Sequence, residues 1–98
     1  MMNVGACLIT LRLPENDSLK GKRQVIKSLV TRLHGRYNVS VAEVGNNESW
    51  QIASLGVTCV SNSSRHANEV ISKVVAFIEH SRLNAEVLDY EVELLQAF

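Results

Sequence analysis

The spacing of apolar residues in this 98-residue chain alternates between two and 3.6, and the order of the alternation leaves little freedom of fold. From residue 3 to 13 the period is two. Cys7, Ile9, Leu11 and Leu13 share one face, and Ala6, Leu8, Thr10 and Arg12 the other. Pro14 ends this strand, Glu15-Asn16-Asp17 forms a turn, and Asp17 or Ser18 is placed to cap a helix. Val25, Ile26, Leu29, Val30 and Leu33 then recur at helical spacing until His34-Gly35, where Gly35 is expected to take a left-handed cap. Tyr37 to Val44 reads as a β-branched strand, Gly45-Asn46-Asn47 as a turn, and Ser49 to Ser61 as a longer strand. Asn62-Ser63-Ser64 opens a second helix with Ala67, Val70, Ile71, Val74, Phe77 and Ile78 as its buried stripe. Residues 86–95 alternate again, Leu88, Tyr90, Val92 and Leu94 against Val87, Asp89, Glu91, Glu93 and Leu95.

The order is βαββαβ with no spare segment. It predicts an α+β, ferredoxin-like fold, in which a four-stranded antiparallel sheet carries two helices on one face. Right-handed crossovers put the first and third strands in the centre, flanked by the second and fourth. Residues 1–98 are read as a single domain of this kind, long enough for one modest core. No apolar run approaches the roughly 18 residues of a membrane helix. The start, Met1-Met2-Asn3-Val4-Gly5, lacks a basic leader region. Cys7 and Cys59 lie in apolar runs with no framework spacing, which fits small buried hydrophobes and a cytoplasmic location.

Charge is segregated. The net charge is zero, yet residues 18–42 hold Lys20, Lys22, Arg23, Lys27, Arg32 and Arg36 with no carboxylate. From residue 79 onward Glu79, Glu86, Asp89, Glu91 and Glu93 face Arg82 alone. On the helical wheel Lys20, Gln24, Lys27 and Thr31 point to solvent, Arg23 lies on the flank, and Lys22 falls near the buried side with its ammonium expected to emerge at the helix end. Two readings stand together. The basic face is either simply solvated, or an anion site in which the free N–H groups of the first turn join Lys20, Lys22 and Arg23, with Gly21 admitting the ligand.

The sheet face not covered by helices would hold Leu8, Thr10, Arg12, Ser54 and Thr58 beside acidic Asp89, Glu91 and Glu93. Without central aromatic residues it is a poor platform for base stacking, so nucleic acid is expected on the first helix, bound by its backbone and without DNA sequence specificity. Trp50 either folds over Ile52 or anchors an interface; with Leu8, Ile52, Val87 and Leu95 it would form a self-association patch. Gly21-Lys22 is not a nucleotide-binding loop, because Asn16 stands where the first glycine belongs and Arg23 where Ser or Thr must bind the metal. His34, His66 and His80 are scattered, and no His/Cys/Asp cluster has ligand spacing. No catalysis, cofactor or metal is expected.

Ser18-Leu19-Lys20-Gly21-Lys22-Arg23-Gln24-Val25-Ile26-Lys27-Ser28-Leu29 resembles the SLKxKRxVVKSL signature of the YlxP-like family of small bacterial proteins, a domain of unknown function. Asn38 to Val44, Trp50-Gln51, Leu55-Gly56-Val57, Val60-Ser61-Asn62 and Leu88 to Glu93 continue the match over essentially the whole chain. The resemblance implies a ferredoxin-like fold. It also implies a link to translation, because genes of the family often neighbour those for translation initiation and ribosome maturation; it brings no catalytic residues. The combined expectation is a non-enzymatic module that docks on rRNA or a ribosomal particle through Lys20, Lys22, Arg23, Lys27, Arg32 and Arg36. The alternative is a homo-oligomer that binds no nucleic acid.

Overall fold

A computed structural model describes all 98 residues. Its elements run β1 (Asn3–Arg12), α1 (Leu19–Arg36), β2 (Ser40–Gly45), β3 (Ile52–Ser61), α2 (Ser64–Glu79) and β4 (Glu86–Gln96). One antiparallel sheet is ordered β2-β3-β1-β4, the ferredoxin-like arrangement the periodicity predicts. No helix is long and apolar enough to cross a membrane.

The alternation of each strand sets which side chains the helices cover. Cys7, Ile9 and Leu11 pair across β1 and β3 with Val57, Leu55 and Ala53, and all six are buried beneath Leu29, Leu33, Ile71, Val74 and Ile78. Gly5 matters because of the space above it. A Cβ there would lie 3.1 Å from the Cys59 Sγ and 3.2 Å from Ile71, so the missing side chain lets α2 settle onto the sheet. Burial pushes the Cys7 thiol up to about 11 and also raises that of Cys59. Both thiols therefore stay protonated and inert near neutral pH.

Four local expectations change. Helix α1 does not stop at Gly35, which is helical, exposed and not left-handed. The helix runs on to Arg36 and ends when Tyr37 turns extended and gives its N–H to the Leu33 carbonyl, placing the Tyr37 ring edge-on to Phe77 at 6.3 Å. β2 consequently starts at Ser40. β3 starts at Ile52 rather than Ser49, because residues 46–51 form a turn: the Ser49 N–H reaches the Asn46 carbonyl and the Ile52 N–H the Ser49 Oγ. Asn46 takes the left-handed conformation there (φ 58°).

The fourth change is a face. Thr10 pairs with Asp89 but Leu11 with Val87, so Leu88 is an extra residue in the ladder. The bulge turns Val87 from the open face, where strict alternation puts it, onto the core side against the buried cluster. A second bulge at Val44 separates the pairs Glu43↔Leu55 and Gly45↔Ser54, which leaves Glu43 on the helix-covered face.

Candidate anion-binding surface

The inward position of Glu43 explains the fate of Lys22. The Lys22 side chain is 1% exposed, and its ammonium lies 2.8 Å from Glu43 Oε2. It donates to the carbonyls of Asn46 (2.7 Å) and Ile52 (3.2 Å). Glu43 Oε2 is buried and makes no directed hydrogen bond, so its stabilisation comes from the charge of Lys22 beside it. The expectation that Lys22 emerges to meet an anion is therefore corrected: a buried carboxylate and two carbonyls hold its charge inside. Lys22 fastens the first turn of α1 to the β2–β3 turn.

One N–H group of that turn is also taken. Ser18 caps the helix by accepting from the Gly21 N–H at 2.9 Å. Above Gly21 lies the side chain of Asn16, whose amide donates to the carbonyls of Ser18 and Trp50. A Cβ on Gly21 would come within 2.2 Å of Asn16 Oδ1. Gly21 thus makes room for this asparagine and not for a ligand, and with Lys22 turned inward the expected amino-terminal cluster of Lys20, Lys22 and Arg23 is not assembled.

The other predicted cations diverge. Lys20, Arg23, Lys27, Arg32 and Arg36 are all exposed. Arg23 and Arg32 are nine residues apart, about 180° around the helix. Lys20 and Lys27 form the outer crest. Only Arg32 and Arg36 converge with further cations, Lys73 of α2 and Arg82 just beyond it. Together with Lys73, His80 and Arg82 they line a groove of about 540 Å³ between the carboxy-terminal halves of the two helices, floored by Tyr37 and Phe77. The Arg36 guanidinium sits 4.9 Å from the centre of the Phe77 ring, which fixes it by cation–π attraction. No carboxylate lines the groove. The chain's ion pairs are Arg12–Glu86, Lys22–Glu43 and Arg65–Glu69, so the four groove cations are unpaired. Helix carboxy-termini favour nearby cations. That accounts for Arg36 but not for Lys73, within α2, or Arg82, beyond it.

The model of a family described as "Protein of unknown function (DUF503)" matches residues 4–92, from β1 into β4. The chain belongs to the DUF503 family. It is 40% identical over 62 residues to the uncharacterized protein YlxP of Bacillus subtilis (strain 168), a stretch that spans 63% of this chain and 67% of that protein. The solution structure of SecDF periplasmic domain P4 aligns over 91% of this chain and 87% of its own at 17% identity, with a TM-score of 0.36. At that score the likeness bears on neither fold nor function.

In this DUF503 protein the apolar residues expected to form one interface are spread out. Trp50 is 55% exposed in the turn before β3, and Ile52 is half-buried opposite Arg12 at the sheet end. Leu8 lies opposite Gly56, four residues or about 13 Å farther along β1. It borders a shallow trough of about 280 Å³ on the open face with Ala6, Gly56, Thr58, Glu91 and Glu93. Trp50 serves the fold through its backbone, as the acceptor for Asn16.

Sequence reasoning missed the partner of Lys22 and the α2 side of the groove. Glu43 was detectable, since Val39, Val41 and Glu43 alternate on one face and an acid in a core position calls for a cation. Lys73, His80 and Arg82 carried no such signal, because only the packing of α2 beside α1 brings them to Arg32 and Arg36.

Proposed function

We propose that this protein is a non-enzymatic binding module for structured RNA, of the kind presented by rRNA or a ribosomal particle. The observation that carries the reading is the groove between the helix ends, where Arg32, Arg36, Lys73 and Arg82 converge unpaired with no carboxylate among them. Phosphates would enter this groove, and exposed Lys20 and Lys27 would extend the contact along the outer crest of α1. The acidic outer strand of the sheet turns RNA away from the opposite side. The gene neighbourhood typical of YlxP-like proteins agrees. A homo-oligomer built on Trp50, Ile52 and Leu8 has less support, because those residues do not form one patch.

The test is fluorescence anisotropy with a structured RNA across a salt series. Affinity should fall steeply with salt. Replacing Arg32, Arg36, Lys73 and Arg82 together by Ala should reduce the salt slope by about 3, at roughly 0.7–0.9 per lost phosphate contact. RNA binding that is undetectable at low salt, or unchanged by the fourfold substitution, would disprove the reading.

A further inference from the structure

The two edges of the sheet are not alike. The β2 edge is six residues long and broken by the bulge at Val44. The β4 edge is eleven residues long, and apart from the bulge at Leu88 it is regular to its end. A long regular edge leaves a row of backbone N–H and C=O groups on its outer side, which is a template for one more strand. Beside that row the side chains separate by face. Tyr90, Val92 and Leu94 pair with Ile9, Cys7 and Gly5 on the helix-covered side, yet remain more than a third exposed because no element lies beyond β4. Asp89, Glu91 and Glu93 pair with Thr10, Leu8 and Ala6 on the open side, also exposed.

This pattern selects its occupant. A second copy of β4 would have to pair about a two-fold axis, and directly opposed residues must point to the same face. Every such register centred on the middle of the strand then opposes carboxylates: Glu91 with Glu91 and Asp89 with Glu93, or Asp89 with Glu91, or Glu91 with Glu93. Like charges directly opposite destabilise a pair, whereas opposite charges stabilise it. A strand with Lys or Arg on one face and aliphatic residues on the other satisfies both faces at once. It would bring three cations to three carboxylates and carry the apolar layer beyond Leu94, Val92 and Tyr90. We propose that the outer edge of β4 accepts, by strand addition, an extended basic segment of another protein in which Lys or Arg alternates with aliphatic residues. This surface is separate from the basic groove, so either can fail without the other.

The experiment is anisotropy of a short labelled peptide alternating Lys with Val, titrated with the full chain at low salt. Saturable binding is expected. Glu91→Lys with Glu93→Lys, both exposed positions, should weaken it about tenfold or more and confer binding of a peptide alternating Glu with Val. N-methylation of alternate peptide amides should abolish binding in one phase and spare it in the other, as backbone pairing requires. The proposal is overturned if no binding is found, or if a peptide of the same composition with its Lys and Val in separate blocks binds equally well. It is also overturned if light scattering shows a dimer that Val92→Lys dissociates, since that assigns the edge to a second copy.

Discussion

The two ends of α1 both concentrate cations and put them to opposite use. At the amino end Lys22 turns inward to the Glu43 carboxylate and two carbonyls, Ser18 takes the Gly21 N–H, and Asn16 fills the space above Gly21. At the carboxy end Arg32 and Arg36 meet Lys73 and Arg82 in an open groove without a carboxylate. The difference lies in neighbours. The amino end abuts the β2–β3 turn, which brings Glu43 and free carbonyls, while the carboxy end abuts α2, which brings more positive charge. A count of basic residues therefore says little about binding until each one's surroundings are known.

The contrast can be broken in order of expected effect. Lys22→Ala leaves Glu43 and two carbonyls without their cation, and should lower stability by about 3–5 kcal/mol in urea unfolding. Lys22→Met with Glu43→Leu should recover part of that loss, but not all, because the Asn46 and Ile52 carbonyls still lack a donor. The fourfold groove substitution should act in reverse, weakening RNA binding by about a hundredfold at low salt while the unfolding midpoint moves little. If Lys22→Ala proves harmless to the fold and harmful to RNA binding, the assignment of the two ends is wrong. Ser18→Ala should remove the cap for about 1 kcal/mol of stability, with RNA affinity unchanged. The smallest effect is expected for Lys20→Ala with Lys27→Ala, about a threefold loss of RNA affinity and no change in melting.

Much of the fold was legible because strand and helix periods are local properties. Cys7, Ile9 and Leu11 declare their face within a few residues, and so do Leu29 and Leu33. What failed was bound to partners elsewhere. Val87 followed its alternation until the bulge at Leu88 rotated it, and nothing in residues 86–95 marks which residue is the extra one. Gly35 offered a helix stop that was not used, since the contact of Tyr37 with Phe77 is met two residues later. Gly21 looked open to a ligand because its occupant, Asn16, reaches it through hydrogen bonds that include one to distant Trp50.

By itself the sequence determined the order of elements, the apolar face of each apart from Val87, a cap for α1 at Asp17 or Ser18, and the segregation of charge between the first helix and the last strand. These follow from side-chain spacing and from the unpaired N–H groups at a helix start, both short-range. Only the tertiary structure decided which charges are free. Whether an ammonium meets a carboxylate, a carbonyl or water depends on elements tens of residues away. Glu43 buried Lys22 on that account, while Lys73 and Arg82 turned two ordinary helix-end arginines, Arg32 and Arg36, into the strongest concentration of unpaired positive charge on the molecule.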